Sequence, residues 1–269
     1  MSPFFTQSGS GRKRWSRRLL IAIAVALPML GVTLWSIKTA RDTASREATR
    51  QQFAAVAMSL LNYSDMRGHL PYSVRRESAE QSIQNGPATG KGRPLYSWRV
   101  ALVAFLEAWR GSWDDAQPWD HPANKELIEL SNFYVYDVSK WQVGSQPFPS
   151  TIIFAITGPG TAFGDGGERP STLKDIPPSC ILAVETRASA IPWPAPGDFD
   201  IRTMPETINA PEGKGISSRH AGGFHVVFAD GQVWFLSDKV PFETLKKFFT
   251  VVDANKYDRE KLLEPFILR

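Results

Sequence analysis

An apolar run stands near the start of the chain and is followed by an amphipathic pattern. No charged residue occurs from Leu19 to Ile37, and as a helix this run spans roughly 28 Å, close to the ~30 Å hydrocarbon core of a bilayer. Beyond a polar neck, apolar residues recur at three- and four-residue spacing: Phe53, Val56, Ala57, Leu60 and Leu61. The pattern predicts one long helix from Leu19 to about Met66, stopped at Gly68. It divides the chain into a tail (1–18), a transmembrane helix (19–37) and a domain (38–269).

The rest of the chain changes from helical to strand-like periodicity. We predict an exposed loop at 72–96, a helix at 98–109 capped by Ser97, and a short helix at 124–130. Apolar and β-branched runs predict strands at 134–138, 151–157 and 180–185, with irregular segments at 158–178 and 187–219. Residues 224–236 predict a hairpin, with Asp230-Gly231 in a tight type I′ turn, before a closing helix at 240–249. This order favours an α+β fold with an antiparallel sheet.

Charge favours a membrane partner over nucleic acid. The chain has 31 basic and 27 acidic residues, but five basic residues and no acidic residue lie in 1–18, which leaves 26 against 27 elsewhere. The basic tail predicts a cytoplasmic N-terminus and a domain outside the cytoplasmic (inner) membrane, on its outer or periplasmic side. A cleaved secretory signal is the alternative, although the run exceeds the usual ~7–15 residues and no convincing cleavage site follows. The single cysteine, Cys180, excludes an intramolecular disulfide.

Three groups of residues invite a chemical interpretation. His220, His225 and Asp230 are of the types that bind zinc, but a structural role is preferred, with Asp230 shaping the turn and His220 satisfying nearby backbone groups. The Asp165–Glu168 segment has too few carboxylates to specify calcium, so a solvated loop is preferred. Ser217 and Ser218 lie next to His220 without a nucleophile elbow. We therefore expect no catalytic residue, cofactor or metal site.

The spacing of His220, nine further residues, Asp230 and Gly231 resembles the signature of bacterial prepilin-like proteins whose domain has no assigned function. Other motifs follow in that family's order: the neck at 39–46, Leu60-Leu61-Asn62-Tyr63, Gly68-His69-Leu70-Pro71, Ser97-Trp98-Arg99, Pro118-Trp119-Asp120, Ala183-Val184-Glu185 and the run 192–198. The resemblance implies a type IV pilin-like build, in which a long N-terminal helix packs by its second half against an antiparallel sheet. The chain departs from the family's prepilin peptidase site, because Arg18 is followed by Leu19 without the cleavage glycine, and the apolar run lacks the glutamate at its fifth position.

Together these features predict a single-pass, membrane-anchored, pilin-like protein without enzymatic activity. We expect a structural or assembly role at the cell envelope, with membrane lipid bound through 19–37 and with self-association or envelope and secretion assembly proteins as partners. The alternative is an envelope module that binds an ion or ligand at a hairpin corner formed by His220 and Asp230.

Overall fold

The computed structural model describes residues 10–78, 92–106, 113–130, 150–165, 170–187, 189–210 and 214–268. The chain divides into two compact units, 1–48 and 49–269. The strand expected at 134–138 lies outside the described residues. So does part of the Asp165–Glu168 segment, for which a solvated loop is preferred over a calcium site, because Asp165 is described and Glu168 is not.

The first helix, α1 (Ser10–Arg67), confirms the long N-terminal helix and begins before the apolar run. Its end is also confirmed: Gly68 adopts φ +76°, and its N–H donates to the Ser64 carbonyl at 2.8 Å. Every residue from Leu19 to Ile37 is exposed. Among the described helices, α1 contains a run long and apolar enough to be a membrane anchor or a signal sequence.

The second unit has an α+β fold, as expected, with its core between the amphipathic part of α1 and a five-stranded sheet. The strands are β3 (Ile153–Thr157), β4 (Ile181–Glu185), β5 (Phe199–Asp200), β6 (Gly223–Phe228) and β7 (Val233–Ser237). The spatial order is β5-β3-β4-β6-β7, and the pairs β3–β4, β4–β6 and β6–β7 are antiparallel. Phe53, Val56, Ala57 and Leu60 of α1 belong to the same buried cluster as the residues of these strands.

The sheet is mixed rather than fully antiparallel, which corrects the sequence expectation. Strand β5 pairs in parallel with β3, through Ile156 with Phe199 and Thr157 with Asp200. This strand lies in the segment expected to be irregular. It has two residues, too few for an alternating pattern to show.

A second correction concerns the segment expected to be an exposed loop. Strand β1 (Val74–Arg76) pairs antiparallel with β2 (Pro94–Ser97), and Leu95 and Tyr96 of β2 are buried. The cap predicted at Ser97 is confirmed, since its hydroxyl accepts the Arg99 N–H. The helix that follows is shorter than expected: α2 (Trp98–Leu102) leads into a 3-10 turn, Val103–Phe105, and residues 107–112 lie outside the described ranges.

The β6–β7 hairpin is confirmed, but its turn is not type I′. The Gly231 N–H donates to the Phe228 carbonyl, and the Phe228 N–H donates to the Gln232 carbonyl, both at 3.0 Å. Gly231 has φ +83°, whereas Asp230 does not take the positive φ that a type I′ turn requires. The connection is therefore a three-residue loop whose last residue, Gly231, is left-handed.

Short helices complete the described chain. Helix α3 (Pro122–Leu130) contains the helix expected at 124–130. The closing helix is shorter than expected, at α4 (Phe242–Lys246), and is followed by α5 (Val251–Ala254), α6 (Arg259–Leu263) and a 3-10 turn, Glu264–Phe266. The Leu268 N–H then donates to the Phe235 carbonyl at 2.9 Å, so the C-terminal segment covers the outer edge of β7.

Candidate functional site

The signature residues His220, Asp230 and Gly231 form a candidate site because two of them meet α1. His220 lies in the segment that leads into β6. Its Nε2 atom is 2.9 Å from the Thr49 hydroxyl on α1. This contact fastens the start of the hairpin to the first turn of the amphipathic part of the helix.

Asp230 lies at the opposite end of the hairpin. Its Oδ1 accepts the Gln232 N–H at 3.0 Å, which is the turn-shaping role predicted for it, and its Oδ2 pairs with the Arg259 guanidinium at 2.9 Å. Arg259 also stacks over the Phe228 and Trp234 rings, 4.6 Å from each centroid. The six residues of β6 separate Asp230 from His220, a span of roughly 17 Å. The two residues therefore do not form a common corner.

Gly231 provides the second contact with α1. A Cβ atom built at this position would lie 2.7 Å from Leu61 Cδ1, so a side chain here would have to displace that methyl group of α1. The positive φ is also one that a residue with a side chain rarely adopts. Thr49 and Leu61 are twelve positions apart, or roughly 18 Å along a helix, which matches the length of β6. The signature thus attaches the helix to both ends of one strand.

A buried carboxylate organises the end of the sheet near His220. Glu185 is 2% exposed. Its Oε1 accepts the Ser218 hydroxyl at 2.6 Å, and its Oε2 accepts the His225 backbone N–H at 3.0 Å and lies 2.7 Å from His225 Nδ1. The His225 ring lies 5.3 Å from the Phe53 ring and 4.7 Å from the Phe235 ring. This network connects β4, β6 and the segment before β6 beneath α1.

The geometry gives these polar residues structural partners. The Ser218 hydroxyl donates to the Glu185 carboxylate at 2.6 Å rather than to an imidazole, and the Ser217 hydroxyl accepts the Arg187 N–H at 3.1 Å. The His220 and His225 rings lie 5.8 Å apart, but Asp230 is elsewhere. Within the described ranges, no three His, Cys, Asp or Glu side chains are grouped to hold a metal ion.

A second buried ion pair joins two of the short sequence motifs. Arg99 is fully buried and donates to Asp198 Oδ1 at 2.8 Å and to the Ile153 carbonyl at 2.6 Å. The Trp98 indole and the Ala155 N–H donate to the same Asp198 oxygen, at 3.1 and 2.8 Å. Burial raises the pKa of Asp198, and the Arg99 guanidinium opposes that shift. This pair fixes the proline-rich run 192–198 against α2 and β3.

Sequence reasoning missed Thr49, Glu185, Arg259 and the Arg99–Asp198 pair as site residues. One signal was present, since Glu185 directly follows four apolar residues of a buried strand, and a carboxylate there requires donors. Its donors, however, lie 33 and 40 positions away, at Ser218 and His225. Their identity depends on strand pairing that the sequence pattern does not reveal.

One comparison with known proteins found a match, and it covers the strands of the sheet. A family model described as a protein of unknown function (DUF1559) matches residues 140–243. The chain is similar to that family over β3 to β7, a segment that includes His220, Asp230 and Gly231 and leaves out α1. Searches of curated proteins and of solved structures found no match.

Proposed function

We propose that the chain is a single-pass, membrane-anchored, pilin-like protein with a structural or assembly role at the cell envelope, and that it has no enzymatic activity. The contrast along α1 supports this most strongly. The apolar residues Leu19 to Ile37 are all exposed, whereas Phe53, Val56 and Leu60 are fully buried in the domain. A bilayer is the solvent that accommodates an exposed apolar run of this length.

Hydroxyl groups in and next to the apolar run are satisfied within the helix. Thr33 donates to the Met29 carbonyl and Ser36 to the Val32 carbonyl, both at 2.8 Å, and Thr39 donates to the Trp35 carbonyl at 3.0 Å. An unsatisfied polar group costs several kcal/mol in hydrocarbon. These internal bonds therefore support insertion of the helix into lipid.

The pilin-like part of the proposal is supported by the arrangement of the second unit. The second half of a long N-terminal helix packs on a sheet whose strands β3, β4, β6 and β7 are antiparallel. Most described polar atoms of the candidate site bond to one another or to the backbone, and the buried Nε2 atom of His225 is an exception. This arrangement suits a rigid structural module better than a reaction centre.

The proposal is tested by the intact mass of the native protein recovered from carbonate-washed membranes, combined with protease digestion of intact cells stripped of their outer layers. Full-length mass in the pellet and a digested domain support an anchor with the N-terminus inside. A shortened mass that retains the apolar run would indicate prepilin-type processing and favour filament assembly. Loss of the whole run from the recovered protein, or a domain resistant to protease until the membrane is opened, would contradict the proposed anchoring or orientation.

A further inference from the structure

A groove with a volume of about 420 Å³ lies beside the short helices that follow β7. Its walls come from α4, from residues that follow α4, and from the turn after β5 that contains Ile201 and Met204. Asp200, the last residue of β5, pairs with Thr157 at the end of β3, whereas Glu185 pairs with the first residue of β3. The groove is therefore separate from the candidate site.

Backbone hydrogen bonds fix one wall of the groove to the sheet. The Ile181 N–H at the start of β4 donates to the Phe248 carbonyl, and the Val251 N–H at the start of α5 donates to the Gly160 carbonyl, both at 2.8 Å. These bonds hold the chain between α4 and α5 in place. A wall that is already ordered lowers the entropic cost of binding, and the volume is within the usual range for ligand sites, about 300–1,000 Å³.

Apolar and aromatic side chains form much of the lining. Phe249 and Met204 are 2% and 8% exposed and lie at the base of the groove. The Phe242 ring meets the Phe249 ring edge to face, with centroids 5.8 Å apart. Tyr257 is 40% exposed and also lines the groove. Such a surface favours a ligand with an apolar side chain to bury.

The lining also carries charged side chains of both signs, and most of them are bonded to an opposite charge. Lys246 donates to Glu206 at 2.8 Å and to Glu243 at 3.3 Å. Asp253 accepts from Lys256 at 2.9 Å. These three carboxylates are therefore held by lysines other than Lys247.

Lys247 differs from these residues in its contacts. Its ammonium lies over the Tyr257 ring, 4.9 Å from the centroid, and in the described part of the chain it forms no ion pair with a carboxylate. A carboxylate on a ligand would supply that opposite charge. The exposed oxygens of Glu206 and Glu243 can accept further N–H groups, which a peptide has and a fatty acid lacks.

We propose that this groove binds the C-terminal end of an apolar peptide. The last side chain of the peptide lies against Phe249 and Met204, and its terminal carboxylate pairs with Lys247. The partner class is therefore a protein or peptide that ends in an apolar residue. This binding site is additional to the proposed structural role and does not depend on the membrane anchor.

The test measures binding of tripeptides with an N-terminal fluorescein to the full chain, by fluorescence anisotropy. The chain is held in lipid nanodiscs, because detergent would compete for an apolar groove, and empty discs give the background. The peptides end in phenylalanine, leucine, methionine or serine, each as the free acid and as the amide. We expect saturable binding of the three apolar acids, about tenfold weaker binding of the serine peptide and about fivefold weaker binding of the amides.

Two lysine variants identify the partner of the carboxylate. Lys247→Gln keeps an alkyl chain beside Tyr257 and removes the charge, so it should weaken binding of the free acids by about fivefold and leave the amides unchanged. Lys261→Gln, at an exposed lysine of α6 outside the groove, is the matched control and should leave binding of both peptide forms unchanged.

Absence of saturable binding by all three apolar acids would overturn the proposal, as would equal affinities for acids and amides. Equal effects of Lys247→Gln and Lys261→Gln would show that the carboxylate is not bound in this groove. Displacement of the peptide by decanoate at an equal or lower concentration would assign the groove to a fatty acid and overturn the peptide ligand. These results are independent of the mass and protease experiments that test the anchor.

Discussion

The two parts of α1 are both rich in apolar residues, but they distribute them differently around the helix. From Leu19 to Ile37 apolar residues face every direction, and all are exposed. From Phe53 to Leu60 the buried residues follow one face, while Met58 on the other face is 58% exposed. A one-sided stripe fits the surface of a folded domain, whereas an all-round apolar surface requires either a surrounding protein core or lipid.

Apolar content alone therefore does not identify whether protein or lipid buries a helix. In the described structure, protein covers the stripe of the second part and leaves the first part bare. Substitutions in the two parts should therefore affect different properties. Those in the first part should change membrane integration, and those in the second should change the free energy of unfolding of the domain.

The largest effect is expected from charges placed in the first part. Ile23→Arg with Leu27→Arg puts two guanidinium groups near the middle of the apolar run, each costing about 2.5–3.5 kcal/mol of insertion free energy. We expect the protein to move from the carbonate-washed pellet to the soluble fraction with its domain still folded. Val252→Arg, at a residue 64% exposed on the domain, is the control and should remain in the pellet. If the double variant stayed in the membrane pellet, the apolar run of α1 would not be what holds the protein in the membrane.

A cavity in the amphipathic part of α1 should lower the stability of the domain and leave membrane partitioning unchanged. Phe53 is fully buried and packs against His225, so Phe53→Ala should lower the free energy of unfolding by about 3–5 kcal/mol. Denaturant titration followed by tryptophan fluorescence measures this loss, and membrane partitioning should not change. Met58→Ala, on the exposed face of the same helix, should change stability by no more than about 0.5 kcal/mol. Similar losses in both variants would show that the helix does not pack on the sheet through this face.

Gly231→Ala tests the contact between the hairpin turn and Leu61 of α1. The new Cβ meets Leu61 at 2.7 Å in a backbone conformation with φ +83°, so we expect a loss of about 1–3 kcal/mol. Gly68→Ala is a matched control, because φ is +76° there and no atom lies within 4 Å of the new Cβ. It should lose only the smaller backbone part, about 1 kcal/mol. Equal losses at the two glycines would show that contact with the helix contributes nothing.

The smallest effect is expected at the contact between His220 and Thr49 of α1. His220→Ala and Thr49→Val each remove one side of the hydrogen bond between His220 Nε2 and the Thr49 hydroxyl, and loss of that bond costs about 1 kcal/mol. His220→Ala also removes the ring contacts with His225 and Phe235, which the cycle separates from the hydrogen bond. In a double-mutant cycle the two losses should be less than additive, with a coupling of at least about 0.5 kcal/mol. Additive losses would mean that the histidine of the signature does not act through α1.

Sequence periodicity was sufficient for the elements that carry a long or strongly marked pattern. It predicted α1 and its end at Gly68, the Ser97 cap, β3, β4 and the β6–β7 hairpin, because each follows from local spacing or backbone preference. It missed β1 and β5, whose pairing is set by neighbours in space rather than by alternation. It also assigned the wrong turn, since Asp-Gly suits both a type I′ turn and the observed loop with a left-handed Gly231.

The candidate site was less predictable than the fold. His220, Asp230 and Gly231 were recognisable as a spaced set, yet their partners Thr49, Arg259 and Leu61 come from helices at the two ends of the chain. Local patterns contain no information on which helix position faces which end of β6. The signature therefore looked like one site in the sequence and proved to be two separate attachments in the structure.

The most direct test of the two-part helix compares cysteines at two positions that are equally bare in the protein alone. Leu27 is 62% exposed and Met58 is 58% exposed, and Cys180 remains unreactive because burial raises its pKa to about 12. Leu27→Cys and Met58→Cys are treated in washed, opened membrane vesicles with a charged, water-soluble maleimide. We predict that Met58→Cys is modified rapidly and that Leu27→Cys is modified only after denaturation. Equal modification of both would show that water, not lipid, surrounds the first part of α1, and would contradict the proposed anchor.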